Sequence, residues 1–231
     1  MRFSFSSWSI WVLVSAGVVA LTPLHSVRAQ VTVAGRVKIQ EKSNGSTNDL
    51  RNSVVALVPL GGGGGRARDT TVSVAMDGRV FAPHVVVVTP GSSVRYPHGD
   101  PFGHNVFSTE RGGSFDLGIY PSGSGRNTVF QKLGIFAVYC NIHPMMTSYV
   151  VVVDTPYRTQ PAPDGRWSLA GVPPGRYALR VWHERTGEVT REVEVTAEML
   201  PLDIELDARG YKAVAHKNKF GQDYTSAGVR Y

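Results

Sequence analysis

Along most of this chain apolar and polar residues alternate, or the apolar ones gather in short unbroken runs that end at glycine or proline. Period-two alternation places every second side chain on one face and predicts half-buried strands, while short unbroken runs fit strands buried on both faces. V-T-V-A-G-R-V-K-I, from Val31, predicts a first strand and S-V-V-A-L-V-P-L, 53–60, a second. Between them, Ser43 to Asn52 is polar and turn-rich. V-S-V-A-M and then R-V-F-A-P-H-V-V-V-V-T-P-G-S-S-V-R-Y give a series of apolar runs cut by Pro-Gly and Gly-Ser turns. V-V-V-V-D, ending at Asp154, predicts a buried strand. D-G-R-W-S-L-A-G-V-P-P-G-R-Y-A-L-R-V-W-H reads as strand, tight turn, strand, and Thr186-Gly187 turns the chain into the clean alternation E-V-T-R-E-V-E-V-T. No long stretch shows helical periodicity. The predicted fold class is all-β, with sandwich packing.

The same pattern divides the chain. Residues 1–29 have the form of a secretory signal peptide: Arg2, the apolar run Ile10 to Leu21, and a polar stretch ending Val27-Arg28-Ala29. Cleavage is expected after Ala29. The run is shorter than the ~20 residues that cross a bilayer, and no later segment is long and apolar enough to do so. A periplasmic or secreted protein without a membrane span is expected. Residues 30–64 hold the first two strands and close on the glycine run Gly61 to Gly65, which reads as a flexible linker. No Lys-Ser/Thr follows those glycines, so they do not form a phosphate loop. Residues 70–154 form a second block. Residues 155–208 form a third, opening on Pro156, Pro161 and Pro163. Residues 209–231 are a basic tail that reads as a solvated end.

Charge narrows the partners a little. The formal net charge of +6 includes Arg2 and Arg28, which leave with the leader, and much of the remaining excess lies in the tail at Lys212, Lys217, Lys219 and Arg230. Basic and aromatic residues are not interleaved as on a nucleic-acid-binding fold, so no nucleic-acid partner is expected.

The chemistry is concentrated in the second block. The chain has 1 cysteine, Cys140, in Y-C-N-I-H-P-M-M, with His143 and Met146 close behind it and His104 upstream in G-H-N-V-F-S. An unpaired cysteine in an exported chain needs a reason. Cys and two His, with a long weak bond to Met, is the ligand set of a blue copper electron-transfer site. A short loop cannot alone surround a metal with three strong ligands, so the first histidine has to come from another strand end. His98 and Asp100, in Y-P-H-G-D-P-F-G-H, lie on the loop before His104 and read as solvated, though a second metal site there is conceivable. His84, His183 and His216 are isolated.

The order F-x-P, V-x-x-G-x-x-V, H-N, C-x-x-H-x-x-M across residues 70–154 resembles the cupredoxins, and the loop C-N-I-H-P-M-M is similar to the short loop of their amicyanin-like members. The resemblance implies a Greek-key β-sandwich of the plastocyanin/amicyanin kind holding one type 1 copper ion. His104, Cys140, His143 and Met146 would be its ligands, with Met146 rather than Met145 in the axial place. It also implies that Asn105, after His104, ties the two ligand-bearing loops together through its side chain, and that Asn141 could accept that tie. Pro101, Phe102, Pro144 and Met145 would ring His143 as an apolar docking patch for a transient redox protein partner.

Residues 30–64 and 155–208 together resemble a carboxypeptidase regulatory-like domain, a transthyretin-like or carbohydrate-binding-like β-sandwich. V-A-G-R-V at 33–37 and V-A-L-V-P at 55–59 match its first two strands, and D-G-R-W-S-L with V-P-P-G-R-Y-A-L-R-V matches the rest. The expected architecture is a cupredoxin inserted between the second and third strands of this outer sandwich, so that strands 31–38 and 53–60 pair with those of 165–206. The glycine run and the proline-rich stretch would be two flexible joins.

The expected function is one-electron transfer by an exported mononuclear copper protein, without enzymatic turnover. Tyr139 stands before Cys140 where a multicopper oxidase or nitrite reductase would carry a wiring histidine, and no H-x-H pair occurs. The alternative is a non-redox module, either a copper carrier or an adhesion or carbohydrate-binding protein, with the outer sandwich as the working part.

Overall fold

A computed structural model of the chain describes residues 30–42, 49–62 and 68–224. The leader at 1–29, with its cleavage site, most of the glycine run and the last residues of the tail lie outside the described residues.

In chain order, β1 (Val31–Gln40) and β2 (Val54–Pro59) flank a single 3-10 turn, Leu50–Asn52. There follow β3 (Thr71–Ser73), β4 (Ala75–Asp77), β5 (Val80–Ala82), β6 (Val85–Val88), β7 (Ser92–Pro97), β8 (His104–Ser108), β9 (Phe115–Tyr120), β10 (Gly125–Phe130), β11 (Gly134–Cys140) and β12 (Thr147–Val152). The chain closes with β13 (Arg158–Thr159), β14 (Arg166–Val172), β15 (Gly175–His183), β16 (Gly187–Val195) and β17 (Leu202–Asp207). The protein is all-β, as the alternation predicts, and no α-helix occurs among the described residues.

The strands sort into facing sheets. β14-β1-β17 faces β13-β2-β15-β16, and β10-β7-β3 faces β6-β12-β11-β8-β9. β1 lies antiparallel to β14 and parallel to β17, and β2 lies between β13 and β15. Strands from residues 31–59 and 158–207 therefore build one sandwich, and those from residues 71–152 build the other. Gly35 shows how tightly the first is closed: a Cβ there would meet the Leu202 carbonyl oxygen of β17.

Alternation decides which core each side chain joins. On β2, Val55 and Leu57 enter the first sandwich while Val54 and Ala56 point the other way. On β12, Val150 and Val152 enter the second sandwich while its neighbour Val151, with Val153 just beyond, points back. The outward sets meet: Val54, Ala56, Val85, Val151, Val153 and Trp182 form a third buried cluster that glues sandwich to sandwich. This explains why V-V-A-L-V and V-V-V-V lack polar positions, because both faces of these strands are buried. Each valine among them is worth about 1.5–3 kcal/mol relative to exposure.

The proline-rich stretch corrects an expectation. It is no loose join. Thr155 is buried and its hydroxyl donates to the Leu57 carbonyl at 2.7 Å. Leu57 N–H donates to the Tyr157 carbonyl at 2.8 Å, and Arg158 and Thr159 pair with β2. Proline, having no N–H to lose, leaves neighbouring residues free to pair at a sheet edge.

Candidate metal centre

The site is built where β8 and β11 end side by side. All five residues of β8 are buried, starting with His104, and Cys140 closes β11 opposite Val106. Beyond the last pair, Asn141 N–H donates to the Asn105 carbonyl at 2.9 Å, which carries the ladder one step into the loop. The loop then folds on itself. Met146 N–H donates to the His143 carbonyl at 3.0 Å and Cys140 N–H to the Met146 carbonyl at 3.2 Å. Pro144 lies inside this tight turn, where its missing N–H costs nothing.

That backbone brings three donor atoms together. Cys140 Sγ is 3.4 Å from His143 Nδ1 and 3.9 Å from His104 Nδ1, and the three atoms lie within 4.8 Å of one another. All three residues are buried, and His143 is nearest the surface, 7% exposed. Burial pushes both imidazoles below the ordinary histidine value, which keeps them neutral with a lone pair to give. Met146 is buried in the core cluster that contains Cys140, whereas Met145 is 88% exposed. Phe102 lies against both rings, 5.4 Å from His104 and 5.5 Å from His143 between centroids, with the Arg79 guanidinium 5.1 Å from its own centroid. A thiol and two imidazoles whose donor atoms lie this close in a buried space suit a soft transition metal.

His98 and Asp100 are not the solvated loop expected from the sequence. They are 5% and 7% exposed. Asp100 accepts from His104 Nε2 at 2.8 Å and from the Gly78 N–H at 3.0 Å. Burial works to raise this carboxyl, but the Gly78 and Arg79 N–H groups and the His104 ring outweigh it and hold it below the usual carboxylate value. With its proton on Nε2, His104 presents Nδ1 to Cys140 as an acceptor. His98 is turned aside, its Nε2 on the Tyr120 carbonyl at 3.0 Å and its ring edge-on to His104. It does not join the Cys140 group.

Asn105 also departs from expectation. Its side chain donates to Asp116 Oδ1 on β9 at 2.5 Å, and only its backbone carbonyl ties the loops. Asn141 instead accepts from the Lys219 N–H at 2.9 Å. The tail, read from sequence as a solvated end, thus reaches the site. His216 stacks on Tyr139 with centroids 4.3 Å apart, and the Tyr224 hydroxyl donates to the Cys140 carbonyl at 2.9 Å. Lys219 and Tyr224 are residues that sequence reasoning missed, and Asp100, read there as part of a solvated loop or a second metal site, is instead the partner of His104. A carboxylate four positions before a candidate ligand was the available signal for Asp100, and no local pattern marks the other two.

Comparison with known proteins adds the following. No protein-family model matches the chain, and no curated protein matches it. Among solved structures, it is similar to a purple cupredoxin from Nitrosopumilus maritimus, 21% identical, covering 37% of this chain and 100% of that one at a TM-score of 0.33. It is also similar to amicyanin from Paracoccus versutus, 18% identical over 43% of this chain and 97% of that one, TM-score 0.34. A Sinorhizobium pseudoazurin is 23% identical over 38% and 76%, TM-score 0.31.

Proposed function

We propose that this chain is an exported cupredoxin-like protein that holds one copper ion at His104, Cys140, His143 and Met146 and passes single electrons to and from a transient protein partner. One observation carries the reading: the only thiol of the chain and two imidazole Nδ1 atoms converge, buried, where β11 ends beside the start of β8. Copper would supply the one-electron couple. The chain's own residues set its surroundings. The hydrogen bonds of the Cys140–Met146 turn and the β8–β11 ladder fix the backbone that carries the donors, which would limit how far they move between oxidation states. Asp100 orients His104. His143, beside exposed Met145 and the Phe102 ring, faces the side where a partner would dock.

The outer sandwich, residues 30–64 with 155–208, belongs in this reading to a carboxypeptidase regulatory-like host into which residues 70–154 are inserted. Support comes from the hydrogen bonds between Leu57 and residues 155–157, which put the two ends of the intervening segment side by side.

The test is addition of Cu(II) to the purified mature protein. An intense visible Cu–thiolate band is expected, together with reversible one-electron reduction. A protein that stays colourless, or a Cys140→Ser variant that keeps the colour, overturns the assignment. Uptake of copper without reversible reduction would favour a carrier.

A further inference from the structure

The two ligand-bearing strands are joined a second time, from outside, by the C-terminal segment. Asn218 forms a compact turn, its Oδ1 accepting from the N–H groups of Phe220 at 2.9 Å and Gln222 at 3.0 Å, and this turn presents Lys219. The Lys219 N–H binds Asn141 beside Cys140, and its Nζ lies 2.6 Å from Asp116 Oδ2. Asp116 in turn holds the side chain of Asn105, the residue after His104. A closed path therefore runs from Cys140 through Asn141, Lys219, Asp116 and Asn105 to His104. Tyr224 adds its bond to the Cys140 carbonyl, and its ring packs edge-on against His216 at 5.2 Å. His216 in its turn covers Tyr139.

We propose that residues 216–224 are a clamp on the metal centre, with His216, Lys219 and Tyr224 as positioning residues that fix the Cys140 segment against the His104 segment and close the Tyr139 side of the site. The inference rests on reading the site as a metal centre. Its logic is that of outer-sphere support, in which groups that hold ligands contribute to metal retention without touching the metal. The contacts fall on the main chain of Cys140 and on its neighbours Tyr139 and Asn141, where a shift would be passed directly to the thiol, and they reach Asn105, beside His104, through Asp116. The clamp also does the work that the Asn105 side chain, engaged with Asp116, does not do across the loops.

The test compares the wild type with Tyr224→Phe, His216→Ala, His216→Phe and a chain ending at Arg209. Two quantities are read: the rate at which excess chelator removes copper from the loaded protein, and the rate at which Cys140 in the metal-free protein reacts with a disulfide reagent. Circular dichroism checks the fold. Ending the chain at Arg209 is expected to speed both reactions about 10–100-fold. Tyr224→Phe and His216→Ala should give smaller increases, and His216→Phe, which can still stack on Tyr139, should return towards the wild type. Unchanged rates in the shortened chain overturn the clamp. Should that chain not fold, unchanged rates in both Tyr224→Phe and His216→Ala overturn it alone. A wild type that takes up no copper defeats the metal reading, and the thiol rates still decide whether the clamp exists.

Discussion

At the scale of single residues, Asp100 settles which nitrogen of the His104 ring is free to bind. Asp100→Ala should leave the Nε2 proton without a fixed acceptor and lower metal affinity about 10–100-fold, measured by chelator competition. Asp100→Asn, which keeps an acceptor oxygen but loses the charge, should fall between. Equal affinity in all three proteins would show that His104 is oriented by packing alone. The closeness of Cys140 and His143 was legible from the short loop between them, and the place of His104 beside them from the resemblance to the cupredoxins. The role of Asp100 was not. Whether a polar loop is solvated or folded inward depends on the Gly78 and Arg79 N–H groups that receive its carboxylate, and those come from a distant turn. Asn105 misled for a related reason, since Asp116 on a neighbouring strand competed for its amide.

At the scale of elements, the seam between the sandwiches combines apolar packing with an ion pair. Trp182, at the end of β15, lies 5.2 Å from Tyr149 of β12 between centroids. Trp182→Ala should cost about 3–5 kcal/mol in denaturant unfolding, as for other large aromatic truncations in cores. A loss well under 1 kcal/mol would mean that the seam contributes little. Beside it, His84 Nε2 lies 2.8 Å from Glu184 Oε1. Burial lowers the His84 pKa, but the hydrogen bond and charge of Glu184 outweigh it, and the net shift is upward from 6.5. Burial raises Glu184, but the His84 hydrogen bond and charge outweigh that, and the net shift is downward from 4.5. The raised histidine contributes stability that is complete below 6.5 and is lost as pH rises through its folded value. The lowered glutamate contributes stability that is complete above 4.5 and is lost as pH falls through its folded value. The pair therefore stabilises most between those limits. The gap in melting temperature between wild type and His84→Gln should be widest near about pH 5.5 and shrink by about pH 9. A gap that does not change across that range would remove the ion pair from the account.

At the scale of the whole molecule, the all-β class followed from pattern, while the long-range return of β1 and β2 to the later strands was expected from the resemblance of the two flanking segments to one small sandwich, which the last block alone could not close. The seam was hidden. Unbroken valine runs announce burial on both faces but do not say against what, and the proline-rich stretch looked like a linker until its hydrogen bonds to β2 were seen. Replacing residues 62–153 by a short Gly-Ser turn should leave a β-rich, cooperatively unfolding remnant that self-associates through Val54, Ala56 and Trp182, as read by circular dichroism and sedimentation. An unfolded remnant would mean that the outer strands depend on the inner sandwich. The pairing of Leu57 with residues 155–157 has one more consequence. Neighbouring strands lie about 4.8 Å apart, so the host chain is interrupted at a doorway no wider than a hairpin turn. Any guest whose two ends leave together could be seated there. It would need only to offer an oily back, as Val85, Val151 and Val153 do, to cover Val54, Ala56 and Trp182.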